Sequence, residues 1–307
     1  MFEFMDVVTL QAVFVAEGEG NLPEYLGSTV RGVLGHCFRD FVCHTPHLKC
    51  LDCEKKEHCA FVKNFSNTGA KGGAINPFVL YVHTYGKTEW KKGDECVFDL
   101  TLFGHAALKP QIYVDALQRM GRKGWGAARI PFTLQRICDY ETKKLIQLEN
   151  HLYLRNLNAH FMILPKREVK SVLVVFNTPV RIVSGGRLFT SLPFALLLRF
   201  ILRRFALVTE VCTDYEVEWN EEEALRDAGM IQVVEQKWKT VDFKRYSMNQ
   251  KDNVLELQGQ EGWVLYEGDL SRFVPLLEAG RYLHVGKNST IGFGHYELYF
   301  DGEEENG

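Results

Sequence analysis

The 307-residue sequence predicts an α+β protein in which one order of elements, β-α-β-β-α-β, occurs twice in tandem. Three observations carry this. Strand-like apolar runs and helical apolar stripes follow one another in the same order in both halves. A glycine-rich loop precedes the fourth strand of each half. The length suits two domains, each able to bury a core of its own.

In the first half, residues 7–15 read as a strand and 22–42 as a helix, with Asn21 the expected N-cap. A small cysteine-bearing insertion, 43–60, comes next. Strands at 78–84 and 96–103 are separated by the turn-like Lys91-Lys92-Gly93-Asp94. A helix over 108–120 ends at Gly121, the residue type that favours a helix C-terminus. The loop Gly121-Arg122-Lys123-Gly124-Trp125-Gly126 then feeds a strand at 129–140. A linking strand at 152–164 brings the chain to a boundary near 165–170, which divides it into domains 1–165 and 166–300.

The second half opens with a strand at 172–182 and a helix at 193–211. Phe194, Leu197, Leu198, Ile201, Leu202 and Phe205 recur at helical spacing and form one apolar stripe. Strands at 231–247 and 262–266, a short helix at 269–279 and a final strand at 295–300 complete the set. Each half thereby spells the ferredoxin-like order. That fold hosts many activities, including RNA binding on an open sheet with stacking aromatics.

Hydrophobic residues make up 46% and charged residues 24%, the balance of a soluble globular chain. No apolar run has the length to span a bilayer, and the start Met-Phe-Glu-Phe-Met-Asp lacks a secretory pattern, so a cytoplasmic location and no membrane partner are expected. The net charge is −3, but Asp301, Glu303, Glu304 and Glu305 crowd an acidic tail, 301–307; without those four the balance is +1. The cations cluster, as in Lys237, Lys239, Lys244 and Arg245, and binding follows the local field rather than the total.

The last glycine loop, from Gly280 to Gly294, holds Lys287, Ser289 and Thr290 as phosphate-compatible donors among Gly286, Gly292 and Gly294. A dinucleotide or P-loop reading requires a helix after the glycines, whereas His-Tyr-Glu-Leu-Tyr-Phe reads as a strand. A loop against a polynucleotide backbone is the functional expectation. A tight turn between strands is the structural alternative.

Several segments together resemble the CRISPR precursor-RNA processing endoribonucleases of the RAMP superfamily, over nearly the whole chain. They are Tyr25-Leu26-Gly27-Ser28-Thr29-Val30-Arg31-Gly32-Val33-Leu34-Gly35-His36, the Cys-x2-Cys-x5-Cys insertion, the Gly121–Gly126 loop, Trp238 with Lys244-Arg245-Tyr246-Ser247, and Gly262-Trp263-Val264-Leu265-Tyr266-Glu267-Gly268-Asp269-Leu270. The closing Leu283-His284-Val285-Gly286-Lys287 with Gly292-Phe293-Gly294 is the most specific of them. The resemblance implies two tandem ferredoxin-like domains and CRISPR repeat RNA as partner. It also implies metal-independent attack of a ribose 2′-OH on the adjacent phosphate, leaving 2′,3′-cyclic phosphate and 5′-OH ends, with no catalytic cofactor. Other CRISPR effector subunits are further expected partners.

Such cleavage needs a base, an acid and cations around the transition state, and histidine suits the first two roles. His36 is the first candidate, with Arg39 one turn on and Tyr25 on the same side but about 16 Å back along a straight helix. His44 and His47 are reserves, and His284 and His295 flank the C-terminal loop. Arg122, Lys123, Arg199, Arg203 and Arg245 join the C-terminal loop as expected RNA contacts. Cys43, Cys50, Cys53 and Cys59 have spacings able to surround a structural zinc, or alternatively an iron–sulfur cluster, that would staple the insertion. Two other functions stay open: a non-catalytic RNA-binding subunit of the same superfamily, and a thiol–metal or redox enzyme.

Overall fold

The structure, a computed structural model, describes residues 4–65, 75–162, 164–246 and 254–301; the side chains of 244–246 and 254–257 lie outside that description. It is a mixed α/β chain in two compact units. One comprises Met5–Phe161 with Val211–Thr213, and the other Met162–Glu210 with Asp214 onward and the first residues of the chain.

In the N-terminal unit, β1 (Asp6–Ala16) is central. It pairs antiparallel with β3 (Glu95–Phe103) on one side and β4 (Ile130–Asp139) on the other. The strand β2 (Phe78–Val82) lies outside β3, so the order is β2-β3-β1-β4. Short strands Leu145–Leu148 and His151–Leu152 extend the sheet past β4. Alternation puts Val8, Leu10, Ala12 and Phe14 of β1 on the buried face with Phe98 and Leu100 of β3. Helices α1 (Gly27–Val42) and α3 (Gln111–Met120) cover that face with Val30, Leu34, Phe38, Tyr113 and Leu117. Each such side chain contributes roughly 1.5–3 kcal/mol through burial. Between these helices lies the short α2 (Ala60–Phe65).

Two boundaries and one cap depart from the sequence expectation. Helix α1 begins at Gly27, because Gly20–Asn21 pairs with Glu89–Trp90; Asn21 is therefore a strand residue and not the N-cap. Helix α3 begins only after Pro110, since Gly104–Ala106 forms a separate 3-10 turn. Gly121 is right-handed with φ −62°, so its role is not a left-handed cap. A Cβ there would stand 3.2 Å from the Phe132 carbonyl oxygen, which makes close approach to β4 the reason for glycine.

The C-terminal unit repeats the arrangement. Strand β5 (Ser171–Val180) lies between β7 (Val254–Glu267) and β8 (Tyr296–Phe300), with β6 (Gln232–Tyr246) outside β7. The order β6-β7-β5-β8 is again antiparallel throughout. Helix α4 (Phe194–Cys212) buries the predicted stripe from Phe194 to Phe205. Strand β7 starts eight residues before the expected 262 because its pairing with β6 continues to Tyr246↔Val254, which makes a long hairpin. The unpredicted α5 (Glu221–Ala228) is capped by Asn220, whose Oδ1 accepts the Glu223 amide at 3.2 Å. Helix α6 (Val274–Leu283) starts later than expected, where Pro275 occupies the first turn and a 3-10 turn, Ser271–Phe273, precedes it. Among the described residues no helix is long and apolar enough to cross a membrane.

Candidate functional site

The outer face of α1 assembles the first group of candidates. Val33, Leu34, Cys37 and Phe38 point inward, which leaves His36 exposed. Asp40, one turn later, accepts from Lys123 Nζ at 2.8 Å, with both side chains about half exposed (53% and 47%). That hydrogen bond holds the Lys123 ammonium above its usual pKa. Arg122 is exposed beside it, and the Arg119 guanidinium lies over the Phe41 ring at 4.8 Å. An imidazole one helical turn from a carboxylate that anchors an ammonium offers a base beside a cation. His36 and Lys123 are both candidates from the sequence; Asp40 is not among those candidates, though it stands at i+4 from His36.

The other two residues grouped with His36 have different surroundings. Arg39 donates from one terminal nitrogen to the carbonyls of Pro46 and Leu48, at 3.2 and 3.1 Å, and faces the Phe61 ring. It ties the cysteine-bearing segment to α1. Tyr25 is 9% exposed and packs edge-on against Tyr85, with centroids 5.7 Å apart. Burial raises its phenol well above the usual pKa, so it is a poor acid at neutral pH. His44 and His47 are exposed.

Cys43, Cys50, Cys53 and Cys59 are all free thiols at intermediate burial. Among the described residues no group of three or more His, Cys, Asp or Glu side chains is placed to hold a metal ion, the four cysteines included. The segment contains two 3-10 turns, Cys50–Asp52 and Lys56–His58, and is tied down by the Arg39 contacts. Thr45 Oγ1 lies 3.6 Å from Cys53 Sγ, and this hydrogen bond lowers the Cys53 thiol pKa.

The C-terminal loop is folded on itself. Lys287 is exposed, but its amide donates to the Arg181 carbonyl at 2.9 Å. The Val285 amide donates to Gly294 O, Gly294 to Pro179 O, Gly292 to Ser289 O and Phe293 to Asn288 O. Ser289 is 4% exposed, and Gly292 and Gly294 are buried. Those three therefore lie inside the loop, with the Gly292 and Gly294 amides bonded within the fold. Main-chain amides already bonded internally are not donors to a phosphate. What the loop presents is Lys287, with Gly286 and Thr290 partly exposed beside it.

His284 Nδ1 lies 3.2 Å from the Phe293 carbonyl, and its ring meets His295 edge-on at 5.2 Å. Burial, then His295, push the His284 imidazole well below its usual pKa, which marks a neutral structural histidine. Arg199 and Arg203 are exposed on α4, whereas Arg204 is 8% exposed and its Nε donates to Leu283 O at 3.2 Å. The Arg245 side chain and residues 302–307 of the acidic tail lie outside the described residues.

Residues 5–159 match the N-terminal-domain family AF_1859_N, and residues 174–296 match the family CRISPR-associated endoribonuclease Cas6. No curated protein matches the chain. Among solved structures, a chain of a partial Cas6-RT-Cas1--Cas2 complex is similar at TM-score 0.62 and 14% identity; the match covers 98% of this chain and 47% of that one. The chain thus spans about half the length of that relative. A Cas6 (TTHB231) product complex, a protein from Thermus thermophilus, is similar at TM-score 0.56 and 15% identity over 95% of this chain and all of its own. A Cas6 (TTHA0078) product complex follows at TM-score 0.53 and 19% identity, over 96% and 99%. With residues 5–159, half of its length, matched by that family model, the chain belongs to the AF_1859_N family; residues 174–296 resemble the CRISPR-associated endoribonuclease Cas6, and the fold is shared with Cas6 structures almost end to end.

Proposed function

We propose that this chain cuts CRISPR repeat RNA by intramolecular transesterification, with each unit a ferredoxin-like domain. The antiparallel orders β2-β3-β1-β4 and β6-β7-β5-β8 support the domain reading. The observation that carries the reaction is His36, exposed on α1 one turn from the Asp40–Lys123 pair. The neutral imidazole takes the 2′-OH proton, the 2′-oxygen bonds to the adjacent phosphorus, and the P–O5′ bond breaks. The leaving 5′-oxygen takes up a proton, so the ends are a 2′,3′-cyclic phosphate and a 5′-OH. Lys123 neutralises charge on the pentavalent phosphorus, a role that Arg39, tied to Pro46 and Leu48, fills less well. The base, the acid and the cation that the step needs can all be side chains or water, so the reading includes no catalytic metal. The relative in a Cas6-RT-Cas1--Cas2 complex supports CRISPR protein assemblies as further partners, and with them a cytoplasmic location.

The test is cleavage of labelled repeat RNAs by the full chain in EDTA. His36→Ala is expected to lose about 10²–10⁴-fold in rate while RNA affinity holds. A variant rate within a few-fold of the parent overturns the role of His36. Tight binding of RNA that the parent leaves intact favours a non-catalytic subunit instead.

A further inference from the structure

Alternation in the N-terminal sheet turns Val79 and Tyr81 of β2, Val97, Asp99 and Thr101 of β3, and Thr9, Gln11 and Val13 of β1 away from the helices. On that face Asp99 stands directly opposite both Tyr81 and Gln11. Gln11 Nε2 donates to Asp99 Oδ1 at 3.0 Å, and His83 Nε2 lies 2.8 Å from Oδ2. The Asp99 side chain is 9% exposed, whereas that of His83 is 34% exposed. The His83 and Tyr81 rings lie side by side with centroids 4.5 Å apart and planes 38° apart. A nearly buried carboxylate needs donors on both oxygens, and a hydroxyl or amide would serve. Here one donor is a partly exposed ring locked against a second ring.

We propose that Tyr81 and His83, braced by Asp99 and Gln11, form a subsite for one nucleotide of single-stranded RNA. The base stacks on the ring pair, as bases do on sheet aromatics. With His83 Nε2 committed to Asp99, Nδ1 is the nitrogen that meets the sugar-phosphate. The register extends the His83 row through Val97 and Val13 to Arg136, three strand spacings or about 14 Å away. A cation at the far end of the row suits an anionic polymer rather than a lone base. This subsite rests on the repeat-RNA reading but not on His36.

The experiment is anisotropy binding of a fluorescent repeat RNA to the full chain, with 4-thiouridine crosslinks mapped by mass spectrometry. Tyr81→Ala and His83→Ala should each weaken binding about ten-fold and lose crosslinks to the peptide holding residues 81–83. Tyr81→Phe, which keeps the ring, should bind as the parent does. His83→Gln, which retains a donor for Asp99, should keep the parent melting temperature yet bind as weakly as His83→Ala. Unchanged affinity in His83→Gln and Tyr81→Ala overturns the subsite, while cleavage of the labelled repeat RNA by the parent, read separately on a gel, shows whether the RNA-processing reading survives. A parent chain that binds no repeat RNA overturns both readings.

Discussion

Gly294 offers the sharpest test of how the C-terminal loop is built. Its φ is +77°, and a Cβ would run into the backbone carbonyl of Val285. Its amide donates to Pro179 O at 2.9 Å, and its carbonyl accepts from the Val285 amide at 3.0 Å. In Gly294→Ala the left-handed conformation alone costs about 1–2 kcal/mol. The collision drives the two backbone segments apart and forfeits two hydrogen bonds at about 1 kcal/mol each. The sum is about 3–4 kcal/mol. Gly86 is the matched control: its φ is +85°, and nothing lies within 4 Å of the Cβ position. Gly86→Ala should therefore cost only the conformational 1–2 kcal/mol. Urea unfolding followed by circular dichroism reads both. Equal losses in the two variants, or a Gly294→Ala loss below about 1 kcal/mol, would refute the claim that the Val285 carbonyl sets the requirement for glycine.

Lys123→Met removes a half-exposed ion pair, so stability should move by no more than about 0.5 kcal/mol. RNA affinity should fall, and the salt dependence of binding to a single strand should flatten by about 0.7 in log–log slope; an unchanged slope argues against phosphate contact. His284 is held neutral in the fold, while its unfolded pKa is about 6.5. The unfolded state therefore binds the extra proton, and stability is lost as pH falls below that value toward the depressed folded one. The parent should lose up to about 1.4 kcal/mol per pH unit there, and His284→Gln should not; parallel curves from pH 7.5 to 5 would dismiss the idea. Thr45→Val removes the hydrogen bond that lowers the Cys53 thiol pKa. The midpoint of Cys53 alkylation should then move to higher pH, as read by peptide mass spectrometry.

Most of the fold was legible because periodicity reports burial directly. The stripe from Phe194 to Phe205 is buried as expected, and β1, β3 and β4 fall within a residue of their predicted ends. The misplaced ends have tertiary causes. The start of α1 depends on Asn21 finding Glu89 across a short ladder, and the length of β7 depends on a partner strand with which it can continue to pair. Neither is written within a single window of residues.

The candidate residues divide along the same line. That His36 is exposed follows from the wheel of α1 alone. The pairing of Asp40 with Lys123 brings residues from two helices' neighbourhoods together, so it needed coordinates. The glycine loop shows a deeper limit. Glycines announce unusual backbone, yet whether the amides around them face a ligand or other carbonyls depends on Arg181 and Pro179, more than a hundred residues earlier.

Asp99 lies between these cases. Phe98 and Leu100 beside it are fully buried, so alternation alone sends Asp99 to the opposite face, and a slip of one residue would thrust the carboxylate into the core. An acid at the centre of such a strand therefore demands donors, and that demand is visible in the sequence. Its partners are not, because Gln11 lies 88 residues away and His83 lies 16 away. Only the register Gln11↔Asp99↔Tyr81 selects them. The lone acid was thus the readable half of the subsite, and the imidazole that answers it was the half that required the fold.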